Sequence, residues 1–124
     1  VSSIKQDIVK EGARAVLLER GGVLELWSGV TDGNGEILTW KRLSSGTVLN
    51  ENTPIDIFKE TIFWFDKNGN TLLAYDLEKE SQTGTAVSSL GDNVFVLMYE
   101  DRRQTFMVTY SPETNVFQFE PFSP

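Results

Sequence analysis

The sequence GDNVFVLMY-EDRR-QTFMVTY-SPETN-VFQFEPFSP, residues 91–124, decides the fold class of this chain. Three runs rich in β-branched and aromatic residues alternate with polar, turn-forming clusters. Short apolar runs separated in this way are typical of antiparallel strands joined by hairpins. The C-terminal part of the chain therefore predicts an all-β meander.

The same pattern continues towards the N-terminus. Gly21-Gly22 separates the runs at Ala15–Leu18 and Val23–Trp27, and Asn68-Gly69 lies between two further apolar runs. Glycine and Asn-Gly pairs between such runs are strong hairpin signals because tight turns need a positive φ. We therefore predict a single all-β domain over residues 1–124, with about eight to ten antiparallel strands.

The first twelve residues predict a different element. Ile4, Ile8 and Val9 recur at helical spacing, and Gly12 follows them in a position that could end a helix. We therefore expect residues 1–12 to form a short amphipathic helix that covers one end of the β core.

An internal repeat is suggested by the segments ILTW (37–40), LLAY (72–75) and MVTY (107–110), which are separated by a constant shift of 35 residues. The segments IFWFD (62–66) and LMYED (97–101) show the same shift. This spacing predicts three copies of one unit, at about residues 23–49, 61–87 and 94–119. Trp40, Tyr75 and Tyr110 would then occupy equivalent positions on one side of the assembly.

The apolar runs also indicate how the sheets pack. Ile62–Phe65 and Val94–Tyr99 are continuous, as expected of a sheet covered on both faces in a propeller-blade-like or sandwich-like arrangement. Ile37–Lys41 and Val116–Phe119 alternate instead, as expected of a sheet with one wet face. The alternative fold is therefore a closed, lipocalin-like up-and-down β-barrel.

Three segments carry a resemblance to kelch repeats. YSPETNVF (110–117) resembles the Tyr-Asp-Pro-x-Thr-x-x-Trp segment of that family, LGDNVFV (90–96) resembles its Gly-Asp-x-Ile-Tyr-Val strand, and LAYDLEKES (73–81) is similar again and also resembles plant F-box-associated domains. The resemblance covers about the last 65 residues. The glycine doublet of a kelch blade is absent after Val96. The resemblance implies a propeller-like platform that binds a protein or a small ligand through its loops, without enzymatic activity in most members.

Composition narrows the range of functions. The 124 residues include no histidine and no cysteine, which removes the commonest general base, disulfides and thiolate metal sites, and leaves the cellular compartment open. Eighteen acidic and eleven basic residues give a net charge of −7, which disfavours nucleic acid and anionic membrane surfaces as partners. The longest apolar runs are also far shorter than the roughly 20 residues of a membrane-spanning helix.

Two turns resemble the start of a calcium loop. DGNGE (32–36) and DKNGN (66–70) carry oxygen ligands at alternate positions. A twelve-residue EF-hand would need an acidic residue at positions 43 and 77, and both are leucine. Hairpin turns account for the same residues, so we predict no metal and no cofactor.

No arrangement of nucleophile, base or paired carboxylates stands out, so we predict a non-enzymatic module that recognises a protein partner, with a homodimer as one form of assembly. The alternatives are a carrier of small apolar ligands in a closed barrel and an acidic inhibitor or immunity-type protein. Aromatic side chains with a polar group serve both cores and recognition surfaces. The candidate binding residues are Trp27, Trp40, Trp64, Tyr75, Tyr110, Arg102 and Arg103.

Overall fold

A computed structural model describes residues 2–32, 34, 36–43, 49–78, 85–99 and 104–122. These residues form three four-stranded antiparallel sheets, in each of which the strands follow one another in chain order. The first sheet contains β1 (Ser2–Lys10), β2 (Ala13–Arg20), β3 (Val23–Thr31) and β4 (Ile37–Leu43). The middle sheet contains β5 (Ile55–Phe58), β6 (Thr61–Asp66), β7 (Thr71–Asp76) and β8 (Thr85–Ala86). The third sheet contains β9 (Ser88–Gly91), β10 (Val94–Tyr99), β11 (Gln104–Ser111) and β12 (Val116–Pro121). The predicted all-β class is confirmed.

The predicted N-terminal helix is wrong, because residues 2–10 form β1 and pair with β2. The pairing contains an irregularity between Ile4 and Gln6, which places Ile4 beside Leu18 on one face and Ile8 beside Ala15 on the other. A bulge of this kind inserts one residue and breaks the two-residue alternation of a strand. The interrupted alternation produced the apparent helical spacing, and Gly12, with φ of 76°, belongs to the hairpin turn instead.

The predicted hairpin turns are present. Gly21 and Gly22 have φ of 59° and 81° and join β2 to β3, in which Arg20 pairs with Val23. The turn containing Asn68-Gly69 joins β6 to β7, and Asp66 pairs with Thr71 at its base. Local turn chemistry therefore determines where these strands reverse.

The middle sheet is covered on both faces, and the continuous run Ile62–Phe65 reflects this position. Ile62 and Trp64 point into one core cluster, and Phe63 and Phe65 point into the other. The first cluster joins the middle sheet to the first sheet, mainly through Ala13, Ala15, Leu17, Leu26 and Leu43. The second joins it to the third sheet, mainly through Phe95, Leu97, Tyr99, Phe106, Val108, Tyr110 and Phe117.

Polar contacts hold β1 of the first sheet beside the segment that enters β5. The Gln6 side-chain amide donates to the carbonyl oxygens of Glu51 and Thr53 at 3.0 and 2.7 Å. Further along both segments, Lys10 Nζ lies 3.2 Å from Asp56 Oδ1. The contacts advance in the same direction along both strands, so β1 and β5 run parallel to each other.

The middle and third sheets meet with opposite strand directions. The rings of Phe65 and Phe95 are 5.6 Å apart, whereas Tyr99, at the other end of β10, places its hydroxyl 2.9 Å from Thr61 Oγ1. Thr61 begins β6 and Phe65 lies near its end, so β10 runs opposite to β6. Phe58 of β5 stacks on Phe119 of β12 at 4.2 Å, so the first strand of the middle sheet overlaps the last strand of the third.

The closed-barrel alternative is wrong. Across the described residues β1 is hydrogen-bonded only to β2, and β12 only to β11, so the chain forms three separate sheets.

The three units proposed from the 35-residue spacing share a meander but not a common register. Tyr75 and Tyr110 lie in the third strands of their sheets, whereas Trp40 lies in β4, a fourth strand. In the middle sheet Tyr75 pairs with Ile62. If the third sheet repeated this pairing 35 residues later, Tyr110 would pair with Leu97. Leu97 pairs with Phe106 instead. Trp40 is therefore not the counterpart of the two tyrosines.

Candidate functional site

The first sheet has an outer face, turned away from the middle sheet, on which aromatic and charged residues meet. Ala15 and Leu17 of β2 point into the core, so the alternation of a strand places the residues between and beside them on the opposite face. Cross-strand pairing then extends this outer face over β1, β3 and β4. Its described members include Ile4, Asp7, Arg14, Val16, Leu18, Arg20, Glu25, Trp27, Trp40 and Arg42.

A groove of about 390 Å³ lies on this outer face. Its apolar lining comes from Ile4, Val16, Leu18, Trp27 and Trp40. Arg14 and Arg20 complete its wall. We call this site the first-sheet groove; it combines two indole rings with two guanidinium groups.

Gly29 provides space for Trp40, which is its cross-strand neighbour. A Cβ atom at Gly29 would lie 3.3 Å from Trp40 Cε3 and 3.0 Å from Ile37 Cγ2. Such distances are tighter than ordinary van der Waals contact, so a side chain here would push Ile37 and the Trp40 indole back by a few tenths of an ångström. Trp40 is nevertheless 43 % exposed, and its ring is available to a partner.

The Glu25 carboxylate contacts three neighbouring side chains on the outer face: Trp27, Arg20 and Arg42. It is buried, and its Oε1 accepts a hydrogen bond from Trp27 Nε1 at 3.0 Å. Arg42 lies 3.7 Å and Arg20 4.0 Å from the same carboxylate, while both guanidinium side chains remain more than half exposed. One buried negative charge therefore orients Trp27 and holds two arginines whose remaining donors face solvent.

Arg14 forms a fork-like pair with Asp7 across β1 and β2. Its Nε and Nη2 donate to the two carboxylate oxygens. These hydrogen bonds hold the pKa of Asp7 below its ordinary value, and the positive charge of Arg14 acts in the same direction against partial burial. The pKa of Arg14 is raised by the same contact. This pair fixes the arginine at the wall of the groove.

The groove brings together only two of the predicted binding residues, Trp27 and Trp40. Trp64 and Tyr75 are buried between the first and middle sheets, and Trp64 Nε1 has no hydrogen-bond partner among the described residues. Tyr110 is buried between the middle and third sheets, where its hydroxyl contacts Asn115 Oδ1. These three aromatics belong to the core.

The predicted residues Arg102 and Arg103 lie outside the described residues.

Sequence reasoning missed Arg14 and Arg20, which line the groove, and Glu25 and Arg42, which lie beside it on the outer face. A signal was present in the alternation of Arg14, Val16, Leu18 and Arg20 along β2. It becomes informative only when β3 is paired beside β2, because the pairing brings Trp27 next to Val16.

The two turns that resemble calcium loops use their aspartates as internal acceptors. Asp32 Oδ1 accepts from the backbone N–H groups of Asn34 and Glu36, and Asp66 Oδ1 accepts from those of Asn68 and Gly69. Within the described residues no group of three or more acidic side chains could hold a metal ion. In the same part of the chain, no helix could cross a membrane.

The groove is thus open, largely apolar, and bordered by cations on a chain whose net charge is −7. Comparisons with protein-family models, curated proteins and solved structures found no match for this chain.

Proposed function

We propose that this chain is a non-enzymatic recognition module and that the first-sheet groove binds a protein partner. The observation that carries this proposal is the convergence of Trp27 and Trp40 with Arg14 and Arg20 on one open face. Tryptophan and arginine dominate the energetics of protein interfaces because they combine a large apolar area with directional donors. A partner segment with an apolar side chain next to a carboxylate would match both features.

The packing supports the sandwich-like alternative for the middle and third sheets. In a propeller, neighbouring blades are related by rotation about one axis, so equivalent strands run in the same direction. Here β10 runs opposite to β6, as the contacts of Phe65 and Tyr99 indicate. The kelch resemblance remains a prediction, and the proposed recognition surface does not depend on it.

Selection of peptides on the purified protein tests the function. Displayed random peptides are selected on the wild-type chain, and the dissociation constants of the enriched sequences are measured by fluorescence anisotropy. We expect enrichment of acidic peptides with aromatic or branched side chains. Trp40→Ala should weaken their binding at least about 10-fold, which corresponds to about 1.4 kcal/mol.

Asn68→Ala is the control, because Asn68 is exposed in a turn of the middle sheet, away from the first-sheet groove. Gly29→Ala is a second test variant, since its Cβ would displace the Trp40 ring without removing it. Equal binding by the wild-type chain, Trp40→Ala and Gly29→Ala would contradict the proposal.

A small-ligand carrier is the second candidate, although the closed barrel predicted with it is absent. The volume of the groove, about 390 Å³, is within the range of small-molecule sites. An anionic naphthalene dye that binds at one site per chain, with loss in Trp40→Ala and no enrichment of any peptide, would favour this candidate. The acidic-inhibitor hypothesis remains a prediction from the net charge.

A further inference from the structure

The third sheet also has an outer face, which is turned away from the middle sheet. Phe95, Leu97 and Val108 point into the core, so Val94, Val96, Met98 and Met107 lie on the opposite side. Met98 is 64 % exposed. Met107 pairs with Val96 on one side and with Glu120 on the other, which places an apolar row next to an exposed carboxylate.

The two outer faces differ in charge. Among the described residues of the first-sheet face, Arg14, Arg20 and Arg42 lie with the two carboxylates of Asp7 and Glu25, which gives one net positive charge. Among the described residues of the third-sheet face, Glu120 is the one charged side chain in the paired rows of β10, β11 and β12. An apolar surface with a cationic border thus lies at one end of the molecule, and an apolar surface with a carboxylate lies at the other.

Resting on the proposed function, we infer that the partner of the first-sheet groove is a second copy of this chain, which docks through the outer face of its third sheet. Glu120 of one copy would approach the guanidinium border of the other, while Met98 and Met107 would cover the indole rings. If two first-sheet faces paired, the arginines of one copy would lie against those of the other. If two third-sheet faces paired, the Glu120 carboxylates would lie on the same interface. Opposite charges therefore favour a head-to-tail arrangement over either symmetric one.

The size of the faces predicts a weak association. Four strands about 4.8 Å apart, with about eight residues rising about 3.3 Å each, give roughly 500 Å² per face. Stable complexes bury roughly 800 Å² per partner. We therefore expect a weak, concentration-dependent self-association.

Sedimentation velocity over a wide concentration range tests the inference with one charged variant on each face. Trp40→Glu places a carboxylate opposite Glu120, and Met98→Lys places a cation opposite the arginines of the first-sheet face; both positions are exposed enough to accept a charge. Asn68→Glu and Asn68→Lys place the same charges on an exposed turn of the middle sheet and are the controls. Circular dichroism and thermal midpoints establish that each variant is folded.

We expect the wild type and both Asn68 variants to associate, and each face variant alone to remain monomeric. An equimolar mixture of Trp40→Glu and Met98→Lys should recover dimers, because one intact face of each kind remains available. Such recovery requires a head-to-tail contact and excludes general loss of folding.

Two results would overturn the inference. The first is a mixture that stays monomeric, and the second is a Met98→Lys variant that associates like the wild type, as a symmetric groove-to-groove dimer would. If the wild type is monomeric and the selected peptides lose affinity for Trp40→Ala, the inference of a second copy as partner is wrong and the proposed function stands. A monomeric wild type with no Trp40-dependent peptide would remove both.

Discussion

The two inter-sheet interfaces join similar meanders by different means. Between the first and middle sheets the buried side chains are mainly aliphatic, and ion pairs at Lys5–Glu51 and Lys10–Asp56 border the interface. Between the middle and third sheets the core is aromatic, and a series of ring–ring contacts lies in this interface and within the third sheet.

The polar contacts differ in part: the first interface combines the uncharged hydrogen bonds of the Gln6 amide with its two ion pairs. The aromatic interface is supplemented by uncharged hydrogen bonds, from the Tyr99 hydroxyl and from the Asn70 amide, which donates to Gly91 O at 3.0 Å. Uncharged bonds respond little to ionic strength, whereas exposed ion pairs are screened by salt. One chain thus contains one interface that should be sensitive to salt and acid and another that should depend on the shapes of its rings.

The largest expected effect is that of Phe65→Ala. Phe65 is buried against Phe95, Tyr110 and Phe117, so its truncation removes ring contacts and leaves a cavity. We expect a loss of about 3–5 kcal/mol in the free energy of unfolding, measured with urea. Leu17→Ala, in the aliphatic interface, is the comparison and should lose about 2–4 kcal/mol. A loss at Phe65 no larger than at Leu17 would remove the proposed difference between the interfaces.

Tyr99→Phe should have a smaller effect. It removes the hydroxyl that lies 2.9 Å from Thr61 Oγ1 and 3.2 Å from Phe58 O. We expect a loss of about 1–2 kcal/mol, with unchanged sensitivity to salt, because the lost contacts are uncharged. Tyr110→Phe is the control: its hydroxyl contacts Asn115, which is exposed and can bond to water instead. Equal losses in the two variants would argue against a special role for Tyr99 between the sheets.

Lys10→Met should have a modest effect that depends on salt. The pair with Asp56 is partly exposed, so we expect a loss of about 0.2–1 kcal/mol at low ionic strength. The difference from the wild type should disappear in about 1 M salt, where charges are screened within about 3 Å. Urea unfolding at both salt concentrations measures this, and a difference that persists at high salt would indicate that the lysine acts through packing of its methylene groups.

Asp7→Asn should change the response to acid. The pKa of Asp7 is lower in the folded chain than its ordinary value of 3.8, so the pair with Arg14 stabilises the fold above that value. This contribution is lost as the pH falls through the folded pKa, because the unfolded chain then binds the proton more readily.

The variant should therefore be less stable than the wild type at pH 7 and approach it near pH 2. Urea midpoints across this range measure the effect, with Glu113→Gln, in an exposed turn, as the control. Parallel pH curves for Asp7→Asn and the wild type would show that the pair does not contribute.

Local features of the sequence predicted much of the fold. Gly21-Gly22 and Asn68-Gly69 mark turns because their backbone requirements involve adjacent residues only. The run Ile62–Phe65 indicated a sheet with two covered faces, since alternate members must point in opposite directions. Residues 2–10 were misassigned because one irregularity between Ile4 and Gln6 reverses the alternation, and only the pairing with β2 reveals it.

The candidate site depends more strongly on long-range pairing. Trp27, Trp40 and Trp64 are chemically identical in the sequence, yet two lie on an open face and the third is buried. The difference arises from which side of each strand faces the middle sheet. The distance between Glu25 and Arg42 along the chain predicts no contact. The contact follows only from the pairing of β3 with β4.

The passage from β8 to β9 has a consequence for how the molecule unfolds. Only Val87 separates these strands, and its N–H donates to Leu72 O at 2.8 Å, so the junction is itself part of the hydrogen-bonded structure. The third sheet therefore cannot detach without pulling β8 away from β7. Amides of the middle and third sheets should therefore exchange with deuterium as one cooperative unit.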